Sequence, residues 1–324
     1  MPTLITWNLP PGAALVAGDD WLPAMLAARL PGGEVVEDRA EATDTPVIVA
    51  ARGALGAVAD EALAEARVVV LLDPDEGERL RAVHRLAGRN GTRLEVIPSL
   101  ATLTAAEHTM LLILALSRRL FHAYSDLVSG ERRPNLHRSD RGQGTRNWVG
   151  MEWPEPIAGK TLGIVGLGRV GEAVAARAKA FGMRVIYYDR ERKPAAERRW
   201  GVQYRRFDQL LRESDIVSLH LPLTPETTRL LDAPELALMR PNAYLINTAH
   251  GGLVDEGALI RALRQRDIAG AGLDVFAYEP IAPDSPLLAL DNVVLTPHIA
   301  GASDDAVRRA FVERAAQVLL SEAG

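Results

Sequence analysis

Three groups of residues in this chain have types and spacings that could do chemistry. The first is Gly166-Leu167-Gly168-Arg169-Val170-Gly171, where backbone amides unshielded by side chains could meet an anion. The second is Asp189, which closes the apolar run Arg184-Val185-Ile186-Tyr187-Tyr188. The third is a set of histidines and carboxylates in the last third of the chain: His250, Asp274, Glu279 and His298. A histidine titrates close enough to neutrality to give a proton and retrieve it, and a carboxylate beside it stabilises the imidazolium. Reducing a ketone to an alcohol needs a proton at oxygen and a hydride at carbon. A histidine and carboxylate pair supplies the first, and the second needs a hydride donor bound elsewhere.

A glycine pattern of this kind arises in many turns, so its flanks decide what it means. Here the apolar strand Leu162-Gly163-Ile164-Val165 precedes it and the helical stretch 170–181 follows. Strand, glycine turn and helix in that order form a dinucleotide fingerprint, with the pyrophosphate at the helix N-terminus. Gly166 allows the tight turn, Gly168 allows backbone approach to the phosphates, and Gly171 allows helix and strand to pack closely. Asp189 lies about twenty residues on, where an acidic side chain meets the adenosine ribose hydroxyls. Its charge would repel a 2′-phosphate, so NAD is expected over NADP, with neighbouring Arg190 leaving the second open.

Those side chains need a scaffold, and the chain shows the rhythm of one. Short β-branched runs at 47–49, 68–72 and 94–98 alternate with amphipathic stretches at 58–66 and 76–87. A long helix is expected over 104–124, with Thr104 as N-cap and Glu107 completing a capping box. From Lys160 the strands are expected at 161–165, 184–189, 215–221, 243–248, 269–275 and 293–296, with a last helix at 303–321. Strands separated by helices imply parallel, doubly wound sheets. The intervening segment 129–156, with Arg132, Arg133, Arg138, Arg141 and Arg146, reads as a solvated arm or a substrate-contacting loop.

Composition narrows the function classes. With 324 residues the chain exceeds most single cores, so two domains are expected. Its 48% hydrophobic and 24% charged content is that of ordinary globular proteins. A net charge of -5 argues against a nucleic-acid partner, which wants a basic face. The absence of cysteine removes thiolate metal sites and disulfides and fits a reducing compartment. No signal-like amino terminus is read, and the longest helical apolar run, 110–116, is short for a bilayer. The expectation is a cytoplasmic protein acting on a small molecule, with no membrane and no metal.

Beyond the glycine motif stand Leu219-His220-Leu221-Pro222-Leu223-Thr224-Pro225-Glu226-Thr227, then Ile246-Asn247-Thr248-Ala249-His250-Gly251-Gly252-Leu253-Val254-Asp255-Glu256. Gly272-Leu273-Asp274-Val275-Phe276-Ala277-Tyr278-Glu279-Pro280 and Thr296-Pro297-His298-Ile299-Ala300-Gly301 follow. In this order, over roughly residues 100 to 320, they resemble the D-isomer-specific 2-hydroxyacid dehydrogenases, an NAD-dependent family. The resemblance implies two doubly wound α/β domains and a cleft active site. A Rossmann cofactor domain at 103–299 would be inserted into a flavodoxin-like substrate domain at 1–102 plus 300–324. It implies His298 as acid/base, Glu279 as its partner and Asp274 at the nicotinamide end. It also implies cofactor contacts at Gly166, Gly168, Arg169, Val170, Gly171, Asp189, Pro222, Thr227, Thr248 and Ala249, and a homodimer. Of the other histidines, His84, His108, His122 and His137 read as structural or surface groups, and His220 as lining the cofactor cleft.

Two departures stand out. Where the family carries an arginine that grips the substrate carboxylate and polarises the carbonyl, this chain has His250. Histidine cannot reproduce the planar fork, and losing one preorganised donor typically costs roughly 10²- to 10³-fold in rate. Where the family places a glycine-containing loop, the chain reads Leu72-Asp73-Pro74-Asp75-Glu76-Gly77, three carboxylates that would repel an anion. Arg52 is the nearest replacement cation, or else a plain surface arginine. Small 2-oxo acids are therefore expected to be poor substrates. A dinucleotide-binding regulator on the same fold is the alternative, and a formate- or phosphite-type oxidation is a third reading.

Overall fold

The computed structural model describes residues 4–6, 34–36, 47–50, 68–72, 78–97, 100–129, 147, 150–301 and 307. The chain divides into two compact units, Met1–Ala101 with Ser303–Gly324, and Thr102–Ala302. Arg52, the 73–77 loop, the 58–66 stretch, the arginines of 132–146, His137 and the expected 303–321 helix apart from residue 307 lie outside the described residues.

In the first unit the described strands are β1 (Leu4–Thr6), β2 (Glu34–Val36), β3 (Val47–Ala50), β4 (Val68–Leu72) and β5 (Arg93–Ile97), with helix α1 (Glu78–Asn90) before β5. β3, β4 and β5 form one parallel sheet, and β1 pairs with β2, also in parallel. The three-residue strands β1 and β2 are too short to show a period and carry no sequence signal of their own.

The second unit holds the sheet that positions the site. In chain order its helices and strands are α2 (Leu100–Ser117), α3 (Leu120–Ser129), β6 (Thr161–Val165), α4 (Arg169–Ala180), β7 (Arg184–Tyr188) and α5 (Pro194–Trp200). Then come β8 (Gln203–Tyr204), α6 (Phe207–Glu213), β9 (Ile216–Leu219), α7 (Ala233–Leu236), β10 (Tyr244–Asn247), α8 (Glu256–Gln265), β11 (Gly270–Leu273) and β12 (Val293–Leu295). Seven strands line up as β12-β11-β10-β9-β6-β7-β8, every pair parallel. The order reverses direction between β6 and β9, the switch point at which such sheets bind ligands.

Parallel strands covered on both faces must be apolar throughout, and β6 and β9 are buried at every position. One face packs against α2 and α4 through Leu112, Ile113, Leu116, Val174, Ala175 and Ala178. The other packs against α6, α7 and α8 through Leu210, Leu211, Leu236, Leu259 and Leu263. Burying each such leucine is worth about 1.5–3 kcal/mol.

In the second unit every expected strand except 161–165 runs a residue or more past the carboxyl end of the strand found. The residues that close them, such as Asp189, Thr248 and Thr296, leave the ladder to bond to neighbouring loops or helices. The helix expected over 104–124 is two helices, because Arg119 takes a left-handed φ of 52° between α2 and α3. Thr104 is not an N-cap. α2 begins at least a turn earlier, drawn into helix by the burial of Thr102, Ala105 and Ala106. α2 is also longer than the 110–116 apolar run suggested, and by length and composition alone it could cross a membrane. Its buried flank, with Leu112 and Leu116 lying against Gly272 of β11, makes it a core helix of this unit.

Candidate active site

Every residue singled out in this unit for cofactor or acid/base work follows the carboxyl end of a strand, so the parallel sheet alone gathers them along one edge. After β6, Gly166 turns the chain with φ 94°, and a Cβ there would lie 2.8 Å from the His220 carbonyl oxygen. The loops after β6 and β9 thus meet at the switch point. A Cβ at Gly171 would collide with the Gly166 carbonyl oxygen, whereas a Cβ at Gly168 would meet nothing within 4 Å. Two of the three glycines are closed by protein and one faces open space.

That open glycine is the N-cap of α4, and it makes no side-chain capping bond to the helix amides. Space that a side chain would fill, beside the positive end of a helix, fits a dinucleotide pyrophosphate. After β7, Asp189 Oδ2 accepts from the Leu167 amide at 3.0 Å and lies 3.4 Å from Lys193 Nζ. Lys193 Nζ also donates to the Leu167 carbonyl at 2.8 Å. The carboxylate therefore braces the glycine loop as well as standing at the expected ribose position.

The turn after β9 is self-closed: Thr227 Oγ1 donates to the Pro222 carbonyl at 2.7 Å and accepts from the Thr224 amide at 2.8 Å. His220 has Nε2 2.8 Å from Ser218 Oγ, while its Nδ1 is buried without a partner. Burial pushes this imidazole down to about 3.

After β10 the buried Asn247 accepts from the Ala249 amide at 3.1 Å and donates to the His250 carbonyl at 2.8 Å, which fixes the backbone on which His250 stands. Thr248 Oγ1 lies 2.9 Å from Thr109 Oγ1 of α2. Gly251 touches the Phe276 carbonyl so closely that a Cβ would collide with it, so the His250 loop abuts the loop carrying Glu279. The His250 side chain itself is exposed.

After β11 and β12 come the acid/base candidates. His298 Nδ1 is 2.6 Å from Glu279 Oε2, and Glu279 Oε1 accepts from the Phe276 amide at 3.0 Å. An ionised carboxylate only accepts, so Nδ1 carries the proton and Nε2 is left for another partner. The imidazole is 59% exposed and the carboxylate 34%. Desolvation works against ionising Glu279, but the hydrogen bonds from His298 and the Phe276 amide, with the charge of His298, hold its carboxyl below the usual range.

Asp274 is fully buried, and its carboxylate accepts from Thr296 Oγ1 at 2.6 Å, from the Ile299 amide at 3.0 Å and from the Ala300 amide at 2.8 Å. These bonds hold the turn that carries His298. His108 is a structural group, as expected: its Nε2 lies 2.8 Å from Thr296 Oγ1 and 3.5 Å from Asp274 Oδ1. Only a contact distant in sequence reveals it, since nothing on α2 points to β12.

A dinucleotide fold with a paired imidazole and carboxylate at one sheet edge defines a nicotinamide-dependent oxidoreductase acting on CH–OH groups. Residues 110–300 match the family model of the D-isomer specific 2-hydroxyacid dehydrogenase NAD binding domain. A glyoxylate reductase of Thermococcus litoralis is 45% identical over 235 residues, 72% of this chain and 68% of that protein. A Thermus thermophilus protein of known structure superposes with TM-score 0.58 at 33% identity, covering 99% of this chain and 96% of the other. A D-lactate dehydrogenase of Aquifex aeolicus, solved with NAD and lactic acid, gives 0.56 at 26% identity, covering 99% and 95%. The chain belongs to the D-isomer specific 2-hydroxyacid dehydrogenase family and uses an NAD-type cofactor.

Proposed function

We propose that this enzyme reduces the carbonyl of a 2-oxo acid to the 2-hydroxy acid, with His298 as the proton donor and NADH preferred over NADPH. The single observation that carries this is the 2.6 Å contact between His298 Nδ1 and Glu279 Oε2. Glu279 orients the ring and stabilises its charged form, so Nε2 delivers a proton to the developing alkoxide and takes it back in the reverse direction. Bound NADH supplies the hydride. Gly168, Arg169, Val170 and Gly171 hold the pyrophosphate at the start of α4, Asp189 takes the ribose hydroxyls, and the Pro222 to Thr227 turn with Thr248 and Ala249 borders the rest. Asp274 acts by fixing the His298 turn.

His250 takes the place of a carboxylate-gripping arginine and offers one hydrogen bond in its stead. Glyoxylate, which the Thermococcus relative is named for, is the first substrate to try. The exposed site of His250 supports a substrate that brings its own polar or bulky group, with binding energy from that part making up for the weaker grip. The test follows NADH absorbance against small, bulky, aromatic and uncharged oxo compounds. Turnover of at least one 2-oxo acid is expected, and none at all would return the reading to a dinucleotide-binding regulator.

The same reading makes the enzyme a cytoplasmic homodimer. Leu120, Phe121, Tyr124, Leu127 and Val128 of α3 are all exposed, and no residue of α3 is buried. Contiguous apolar surface of this kind is covered in stable proteins, here by a second copy. Light scattering should give twice the chain mass, and Phe121→Asp should give the monomer.

A further inference from the structure

His108 is 10% exposed and sits among groups whose protons can be counted. Thr296 has one hydroxyl proton and stands 2.6 Å from Asp274 Oδ1, so that proton goes to the carboxylate. The hydroxyl oxygen is left to accept, and the group 2.8 Å away is His108 Nε2, which must therefore carry a proton. The result is a directed chain: His108 donates to Thr296, and Thr296 donates to Asp274.

Asp274 passes the constraint on. Its carboxylate receives the amides of Ile299 and Ala300, and its backbone carbonyl receives the amide of His298 at 2.9 Å. His298 is thus held on both sides by one residue. It needs this, because its φ of 55° is left-handed, a conformation a non-glycine residue keeps only when the surroundings impose it. The next residue on α2, Thr109, reaches Thr248 in the same way. Consecutive side chains of one core helix thus hold the loops after β10 and β12.

We propose that His108 is a positioning residue for the reaction: through Thr296 and Asp274 it sets where His298 Nε2 points. The proposal rests on the reading of His298 as acid/base. Replacing His108 with an apolar residue leaves the Thr296 hydroxyl without its donor and loosens the turn. The glycine loop after β6, on the far side of β9, β10 and β11 from β12, is untouched.

The experiment measures kcat and KM with the best 2-oxo acid and NADH in the parent, His108→Leu, His108→Gln and Thr296→Val, each also in a His298→Ala background. His108→Leu is expected to lower kcat about 10- to 100-fold, the cost of misplacing a reacting group, with KM for NADH within about threefold. His108→Gln, whose amide nitrogen can donate to Thr296, should recover most of that loss. In the His298→Ala background the His108→Leu loss should vanish, because both changes remove one function. If His108→Leu does not fold, Thr296→Val decides by the same criteria. A kcat within about threefold of the parent, or an equal loss with and without His298, overturns the proposal while leaving the acid/base reading intact. Full activity of His298→Ala overturns both.

Discussion

His298 Nδ1 and Glu279 Oε2 stand 2.6 Å apart on loops that follow the adjacent strands β12 and β11. The register of two neighbouring parallel strands thus fixes a proton-transfer pair without either residue belonging to regular structure. Glu279→Gln keeps the shape and removes the charge that favours the imidazolium. The rate of reduction should fall and its pH profile change shape, because the carboxylate no longer orients and charge-pairs the ring. Because the Glu279 pKa is depressed in the folded state, its stabilising contact is present above the ordinary carboxylate range and is lost as pH falls through the folded value. Profiles that coincide for parent and variant would detach Glu279 from the chemistry.

Cofactor choice should follow Asp189. Its carboxylate is braced by Leu167 and Lys193, so it cannot easily swing away from a 2′-phosphate. Calorimetric titration should show NADH binding at least about tenfold tighter than NADPH, equivalent to about 1.4 kcal/mol. Asp189→Ser should narrow the gap, helped by Lys193, which the substitution leaves without that carboxylate, and by the neighbouring charge of Arg190. Equal affinities in the parent would remove Asp189 from the ribose.

His250 should limit small substrates. The parent is expected to be slow on glyoxylate, pyruvate and hydroxypyruvate, and His250→Arg to raise kcat/KM on at least one of them by about tenfold or more, since the guanidinium restores a bidentate grip. Parent efficiency already near about 10⁴ M⁻¹s⁻¹ on any of the three would show that histidine suffices.

His220 should govern acid stability. Its imidazole is held neutral down to about 3, while the unfolded chain takes up a proton below the ordinary value of 6.5. The folded state therefore loses stability as pH falls from about 6.5 toward about 3, on the order of 2 kcal/mol between about pH 7 and about pH 4.5. Urea midpoints at those two conditions should differ less in His220→Gln, which cannot titrate. An identical difference in both proteins would place the acid-sensitive group elsewhere.

Much of this arrangement was legible in the residues, and for physical reasons. A parallel strand buried on both faces is written as an apolar run, so β6, β7, β9 and β10 stand out, and the loops after them carry the chemistry. Gly166, Gly168 and Gly171 each have a distinct geometry that their spacing already implied. What stayed hidden depends on contacts far apart in sequence. β8 is two residues at a sheet edge, with no alternation to read. The capping box expected at Thr104 matched a local pattern, but burial of Thr102 and Ala105 extends α2 past it. The link from His108 to Thr296 spans 188 positions and joins a core helix to an edge strand, which no local rule encodes. For Arg52 and the 73–77 loop, the expected substrate cation and the acidic departure, only the sequence speaks.

The most direct test of the account is the pH-rate profile of NADH-dependent reduction of the best 2-oxo acid by the parent and by His298→Ala. If His298 Nε2 gives the proton, the parent falls off on the alkaline side as the imidazolium is lost. His298→Ala should then lose about 10²- to 10⁴-fold in kcat and lose that limb, while still binding NADH. A His298→Ala enzyme that keeps both the rate, within a few-fold of the parent, and the alkaline limb would contradict the assignment.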